Sequence, residues 1–181
     1  MSSDRPVYES IRSRRAVRDF TDEPVSRGAL ERILRAARWA PSAGNRRLHK
    51  FVALEDAKAI ARIKAISPGM FGEPPVLIVM CTDAEQLARE NVKDHDTSTM
   101  VDVGTSAMCM MLAAHELGLG TCPTTSFSAG GIRGALNLPD HLTPDFMLQV
   151  GHAKPQPLGG GGGGTKLTID EITHWGAYPS E

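Results

Sequence analysis

The sequence predicts one layered domain of the α+β or α/β class. Three observations carry this expectation. Amphipathic helical periods alternate with three or four short apolar runs, one long segment is apolar on almost every helical face, and the composition is globular, with 41% hydrophobic and 23% charged residues in a chain of 181. A single domain over residues 1–181 is expected, with a Gly-rich loop at 155–165 inside it.

Taken in order, Val7–Arg12 reads as a short helix leading into RRAVRDF. TDEPVS is a turn, and Ser26 can cap a helix whose Leu30, Ile33, Leu34 and Ala37 follow the i, i+3, i+4, i+7 pattern. Pro41 ends it, and PSAGN is a loop. Lys50–Leu54 is a short strand, and Asp56 can cap a helix through Ile60, Ile63 and Ile66. After the breaker-rich SPGMFGEPP, PVLIVMC is a continuous apolar run and hence a buried strand. Asp83–Asn91 reads as helical. VKDHDTSTM is polar and ambiguous.

From about Met100 to Leu117 the chain is small and apolar nearly all round, which predicts a central helix stopped by Gly118. The surplus apolar surface hints at burial between subunits. GTCPTTS is strand and loop, GGIRGAL a short helix, and DFMLQVG a strand ending at Gly151. Thr168 and Glu171 form a capping box for a last helix, Ile169–Trp175.

No run approaches ~18 uninterrupted apolar residues, so no transmembrane helix is expected. The opening MSSDRPVYESIRSRR lacks the apolar core of a signal peptide. Three cysteines (Cys81, Cys109, Cys122) without a CxxC pair predict neither a disulfide framework nor a cysteine zinc site, and fit a reducing cytoplasm.

The net charge of -1 hides an asymmetry. Residues 1–50 hold 12 of the 20 basic and 6 of the 21 acidic residues, leaving the remainder net acidic. The cationic end wants an anion, which the charge alone leaves open: nucleic acid, a phosphorylated cofactor or the protein's own acidic part. With aromatics at 5% and a near-neutral whole, a dedicated nucleic-acid binder is disfavoured.

Arg14, Arg15 and Arg18 can converge on one phosphate or form a solvated cationic face. In APSAGN, Ser42, Gly44 and Asn45 offer short side chains and open N–H groups to a planar polar ligand, or simply make a turn. GGGGGGTK fails as a phosphate-binding P-loop because Thr165 separates the last glycine from Lys166. It is a flexible surface loop, or Lys166 closes over an anion. The six histidines show no metal-ligand spacing, and no Gly-x-Ser-x-Gly elbow occurs. No protein group stands out as catalytic and no metal site is expected, so an enzyme of this sequence would take its chemistry from a cofactor.

In order, SRRAVRDF, EPVS, AARWAPSAGN, PPVLIVMC, DVGTSAMCMMLAAHELGLGT and MLQVGHAKPQP resemble the FMN-dependent nitroreductase family over about Tyr8 to Trp175. The resemblance implies an α+β three-layer sandwich, a central, mostly antiparallel sheet flanked by helices, in an intertwined homodimer with FMN at the subunit interface. Arg14, Arg15, Ala16 and Arg18 then correspond to the residues on the flavin's phosphate, ribityl and pyrimidine end. Pro41, Ser42, Ala43, Gly44 and Asn45 correspond to the loop that reaches the partner's flavin. Pro123–Ser126, with Thr124, Thr125 and Ser126, corresponds to the stretch along the isoalloxazine, and Lys166 to a phosphate ligand. A phosphate of about -2 charge matches the cationic end.

The sequence departs from the family where Arg47 replaces a usual glutamine and Ala16 a frequent serine. It also carries a six-glycine run, and the lid segments near Ser67–Pro74 and Asn91–Met100 are brief. The activity implied is NAD(P)H-driven reduction of a nitroaromatic, quinone or enone acceptor by ping-pong hydride transfer through flavin N5. An alternative on the same fold is oxidation of a biosynthetic intermediate or modification of the flavin. A remote alternative is a non-enzymatic nucleic-acid-binding module.

Overall fold

Local signals place most elements within a few residues. The computed structural model describes residues 7–92, 97–155 and 167–178. Helix α1 (Val7–Ser13) is followed by α2 (Arg27–Trp39), where the Ser26 hydroxyl accepts the Ala29 N–H at 3.2 Å and Leu30, Ile33 and Ala37 face inward. Ala40, forced extended by the proline after it, ends α2. Strand β1 (His49–Leu54) leads to α3 (Ala57–Ala65), capped by the Asp56 carboxylate on the Ala59 N–H at 2.7 Å.

Strand β2 (Val76–Asp83) is buried throughout. Asp83, expected inside a helix, instead ends β2 and caps α4 (Ala84–Arg89) by accepting the Gln86 N–H at 3.0 Å. Helix α5 (Thr97–Glu116) begins three residues before the expected Met100, and Gly118 terminates it at φ 77°. Strand β3 (Gly120–Thr124), α6 (Ala129–Leu136) and β4 (Leu142–Gly151) complete the sandwich.

Helix α7 (Ile169–Ile172) has both halves of its capping box but stops short of the expected Trp175. Its side chains are exposed, so no buried face extends a helix too short to be stable alone.

The described strands form one sheet in the order β1-β2-β4-β3, all antiparallel. The extended segment after α1 runs beside edge strand β3: Ala16 bridges Thr121, and the Val17 N–H donates to the Thr121 carbonyl at 2.8 Å. Gly120 makes this approach possible, because a Cβ there would lie 2.7 Å from the Val17 side chain. The ladder between β2 and β4 shifts at Met80/Cys81, where Pro144 faces Cys81 and the skipped residue is Asp145. The bulge turns Asp145 back on Thr82, whose N–H and hydroxyl both donate to its carboxylate.

Alternation along β2 divides the interior. Val76, Ile78 and Met80 pack with α2, α5 and the matching face of β4. Leu77, Val79 and Cys81 pack with Ile60 and Ile63 of α3, Ile132 of α6 and Met147. A continuous apolar run therefore means a strand covered on both faces, here in an antiparallel sheet. Helix α5 is covered on one side only: Val103, Ala107, Met110, Met111 and Ala114 are buried, while Met100, Val101 and Met108 are exposed. Ile78→Ala would leave a cavity at the centre of the sheet. It is expected to lower unfolding stability by about 2–5 kcal/mol, seen as a lower urea midpoint at unchanged slope.

Candidate functional site

Two polar segments gather the expected site residues, one at each end of α5. The first follows α1. The Ser13 hydroxyl lies 2.9 Å from Nε2 of His115, near the C-terminus of α5. Arg15 folds back onto the end of α1, donating to the carbonyls of Arg12 (2.7 Å) and Arg14 (2.9 Å). Arg18 lies 5.9 Å from the centre of the Phe71 ring and beside Cys122 of β3. Burial pushes the Cys122 thiol up, and the neighbouring guanidinium opposes the shift. Among the described residues, Arg14, Arg15 and Arg18 have no carboxylate partner.

The loop after β3 adjoins this segment. The Gly69 N–H donates to the Ser126 carbonyl at 3.0 Å, and a Cβ on Gly69 would lie 2.9 Å from the Ser126 side chain. Gly72 packs as closely on Arg18, whose carbonyl would be 2.5 Å from an added Cβ. Beneath them the buried Gln149 donates from Nε2 to the Thr124 hydroxyl at 2.9 Å, while its Oε1 has no partner among the described residues. Ser67–Gly72 thus joins Arg18 to Thr124–Ser126, and Thr125 and Ser126 are exposed. Ala16 supplies backbone to the bridge with β3 and no side-chain hydrogen bond. Lys166 lies outside the described residues.

The second segment is Pro41–Arg47. Gly44, Asn45 and Arg47 take φ of 60°, 56° and 54°, a left-handed conformation that costs free energy in the two non-glycine residues. Several bonds hold it. The Asp102 carboxylate accepts the Ala43 N–H at 3.0 and 3.1 Å, the Ser42 hydroxyl accepts the Arg47 N–H at 3.2 Å, and the Ser42 carbonyl accepts the Asn45 N–H at 2.8 Å. Thr105 donates to the Pro41 carbonyl at 3.1 Å, and Gln86 donates to that of Arg46 at 3.0 Å. Asp102 is 4% exposed, on the N-terminal half of α5.

Reasoning from the sequence did not single out Asp102 or Thr105. The available signal was a carboxylate inside an otherwise apolar helix, which must find donors when buried. Asp102 and His115 are thirteen residues apart on one helix, so the two segments sit ~20 Å apart along it. One chain brings Arg18 to Thr124–Ser126, and does not bring either to Ser42 and Asn45.

Behind the loop lies a cavity of about 220 Å³ bordered by Ala37, Arg38, Ser42, Arg47, His49 and Ser106. A larger one, about 580 Å³, lies between α3, the turn at Thr21–Val25 and Glu73–Val76. Among the described residues no group of His, Cys, Asp and Glu could hold a metal ion, and no helix is long and apolar enough to cross a membrane.

The family profile described as "Nitroreductase family" matches residues 11–70 and 64–152. An FMN reductase (NAD(P)H) of Bacillus subtilis is 28% identical over 167 residues, covering 81% of this chain and 65% of that relative, so the chain spans just under two thirds of its length. An NADH dehydrogenase of Thermus thermophilus is 25% identical over 192 residues, covering 90% and 92%. A solved nitroreductase family protein from Clostridium difficile 630 superposes with a TM-score of 0.80 at 25% identity, covering 96% of this chain and 99% of that one. With this profile spanning both polar segments and the whole described sheet, the chain belongs to the nitroreductase family.

Proposed function

We propose that this protein is an FMN-dependent NAD(P)H oxidoreductase that reduces a nitroaromatic, quinone or enone-type acceptor, working as a homodimer with two shared sites. The observation that carries the reading is the spacing of two polar segments along α5, anchored at Asp102 and His115, with Met108 exposed between the anchors and Met100 and Val101 exposed just before them. Antiparallel two-fold pairing of α5 would bury that apolar face and bring the Ser42–Asn45 loop of one copy to the arginine segment of the other. Val7, Tyr8 and Ile11 of α1, also exposed, extend the same apolar surface. The names of the relatives, an FMN reductase and an NADH dehydrogenase among them, favour the same cofactor pair.

The residues present fit FMN. Arg14, Arg15 and Arg18, without carboxylate partners among the described residues, stand near the exposed Thr125 and Ser126, and Gly69 and Gly72 let Ser67–Gly72 pack tightly between them. FMN, when bound, would supply two-electron redox chemistry between NAD(P)H and the acceptor. Arg14 and Arg18 neutralise the phosphate end, whose burial without cations would be prohibitive. Arg15, held by the carbonyls of Arg12 and Arg14 at the end of α1, would favour negative charge on a ring system bound beside it. Backbone N–H groups of Thr125 and Ser126 would offer donors to the ring, and Gln149 fixes Thr124 at the loop's root. Ser42 and Asn45 complete the partner's site from a loop held by Asp102.

Three measurements test this reading. The protein reconstituted with FMN is expected to be yellow and to bleach when NADPH or NADH is added without oxygen. Protein that takes up no FMN overturns the proposal. Arg18→Gln is expected to weaken FMN binding about tenfold by fluorescence titration, the loss of one charge-assisted hydrogen bond. Asp102→Ala frees the loop and is expected to lower both FMN affinity and unfolding stability, the latter by about 1–3 kcal/mol, whereas Asp102→Asn, which keeps an acceptor for the Ala43 N–H, recovers most of both.

A further inference from the structure

Helix α2 ends in an outward-facing indole. Trp39 is 76% exposed, although Ala37 and Ala40 close to it in the chain are buried and the Ala40 N–H donates to the Ala37 carbonyl at 3.1 Å. The backbone under the ring is therefore anchored, and the ring is held out from a fixed point rather than left by a fraying end.

A single exposed aromatic is ordinary, but this one stands among cations. Arg38 lies 5.9 Å from the ring centre and has no carboxylate partner among the described residues. A guanidinium over a ring keeps its in-plane N–H groups free for a second partner. Arg35, one turn earlier on the same face, borders a shallow depression with Arg38, Leu34 and Glu31. Its ion pair is a 3.7 Å contact with Glu31, which Arg27 shares at 3.5 Å, and such exposed pairs yield readily to a stronger anion. Stacking accepts any base and guanidiniums accept many anions, but the two side by side suit a planar base that carries a phosphate.

The patch adjoins the loop that the proposed function turns toward the flavin. Trp39 and Ser42 are three residues apart with extended backbone at Ala40 and Ser42, so their Cα atoms are at most ~11 Å apart. Arg38 and Ser42 also border the same cavity. A dinucleotide with its nicotinamide on the flavin has its adenosine end within reach. NADPH differs from NADH there by one phosphomonoester of about -2 charge, the group that Arg38 and Arg35 are placed to read.

We propose that Trp39 and Arg38 hold the adenosine 2′-phosphate end of NADPH, the indole against the adenine and the guanidinium, joined by that of Arg35, on the phosphate. The proposal rests on the flavin reading for the position of the nicotinamide, and it makes NADPH the preferred donor.

Two measurements, one of them independent of flavin, keep the readings apart. With Trp175→Phe, indole emission of the full-length protein comes from Trp39 alone. NADP+ is expected to quench it with an affinity about tenfold above that of NAD+, and Arg38→Gln to remove that margin. In the FMN-loaded enzyme, Arg38→Gln is expected to raise KM for NADPH about tenfold at unchanged kcat and to leave KM for NADH as it was. Trp39→Ala should raise KM for both donors, since both carry the adenine. Equal affinity for NADP+ and NAD+, displacement of NADP+ by inorganic phosphate at equal concentration, a loss in Arg38→Gln shared by both donors, or an unchanged KM in Trp39→Ala would each overturn the proposal. Protein that takes up no FMN but keeps the NADP+ margin overturns the flavin reading and supports this site.

Discussion

A twenty-residue helix apolar on opposite faces cannot be satisfied by one sheet, and α5 is such a helix. One face closes the larger core under β2 and β4, while the other carries Met100, Val101 and Met108 into solvent. Two polar contacts of the candidate site are made to this rod. His115 receives the end of α1, and Asp102 receives the loop after α2. The helix is at once the floor of the core and the spacer between the two polar segments.

The strained loop shows how a buried charge can be used. Asp102 gains two close contacts from a single N–H, and through them fixes a turn in which Asn45 and Arg47 adopt a left-handed backbone. An isolated carboxylate at this depth would be costly, and an isolated turn of this shape would relax. Each makes the other tolerable. Ser42 has its hydroxyl turned to the Arg47 N–H, so the most ligand-like residue of the loop also serves its architecture.

How much of this was legible from residues follows from which interactions are local. The caps at Ser26, Asp56 and Thr168, the stop at Gly118 and the buried run of β2 were readable because they depend on neighbours within a turn or on alternation. Asp83 was misread because it is both the last strand residue and a cap, and one residue cannot announce two roles by periodicity. The run to Trp175 was overdrawn because capping starts a helix but does not sustain it. The arginine motif and the serine loop were visible as weak patterns, and their order in the chain gave the family. Asp102, Thr105 and the bulge at Asp145 were not visible, since each acts on a backbone tens of residues away.

The bridge of Ala16 to Thr121 also shields one side of the sheet. An uncovered outer strand invites edge-to-edge growth between molecules, and here the N-terminal segment occupies the rim of β3, with Gly120 allowing Val17 to lie flush against it. The opposite rim, β1, is guarded by other means: Lys50, its second residue, places a positive charge there, 3.6 Å from the Asp83 carboxylate. Proteolytic loss of the segment before Phe20 would therefore do more than remove arginines. It would expose a rim ready for intermolecular strand pairing, and self-association would appear before any loss of helical content.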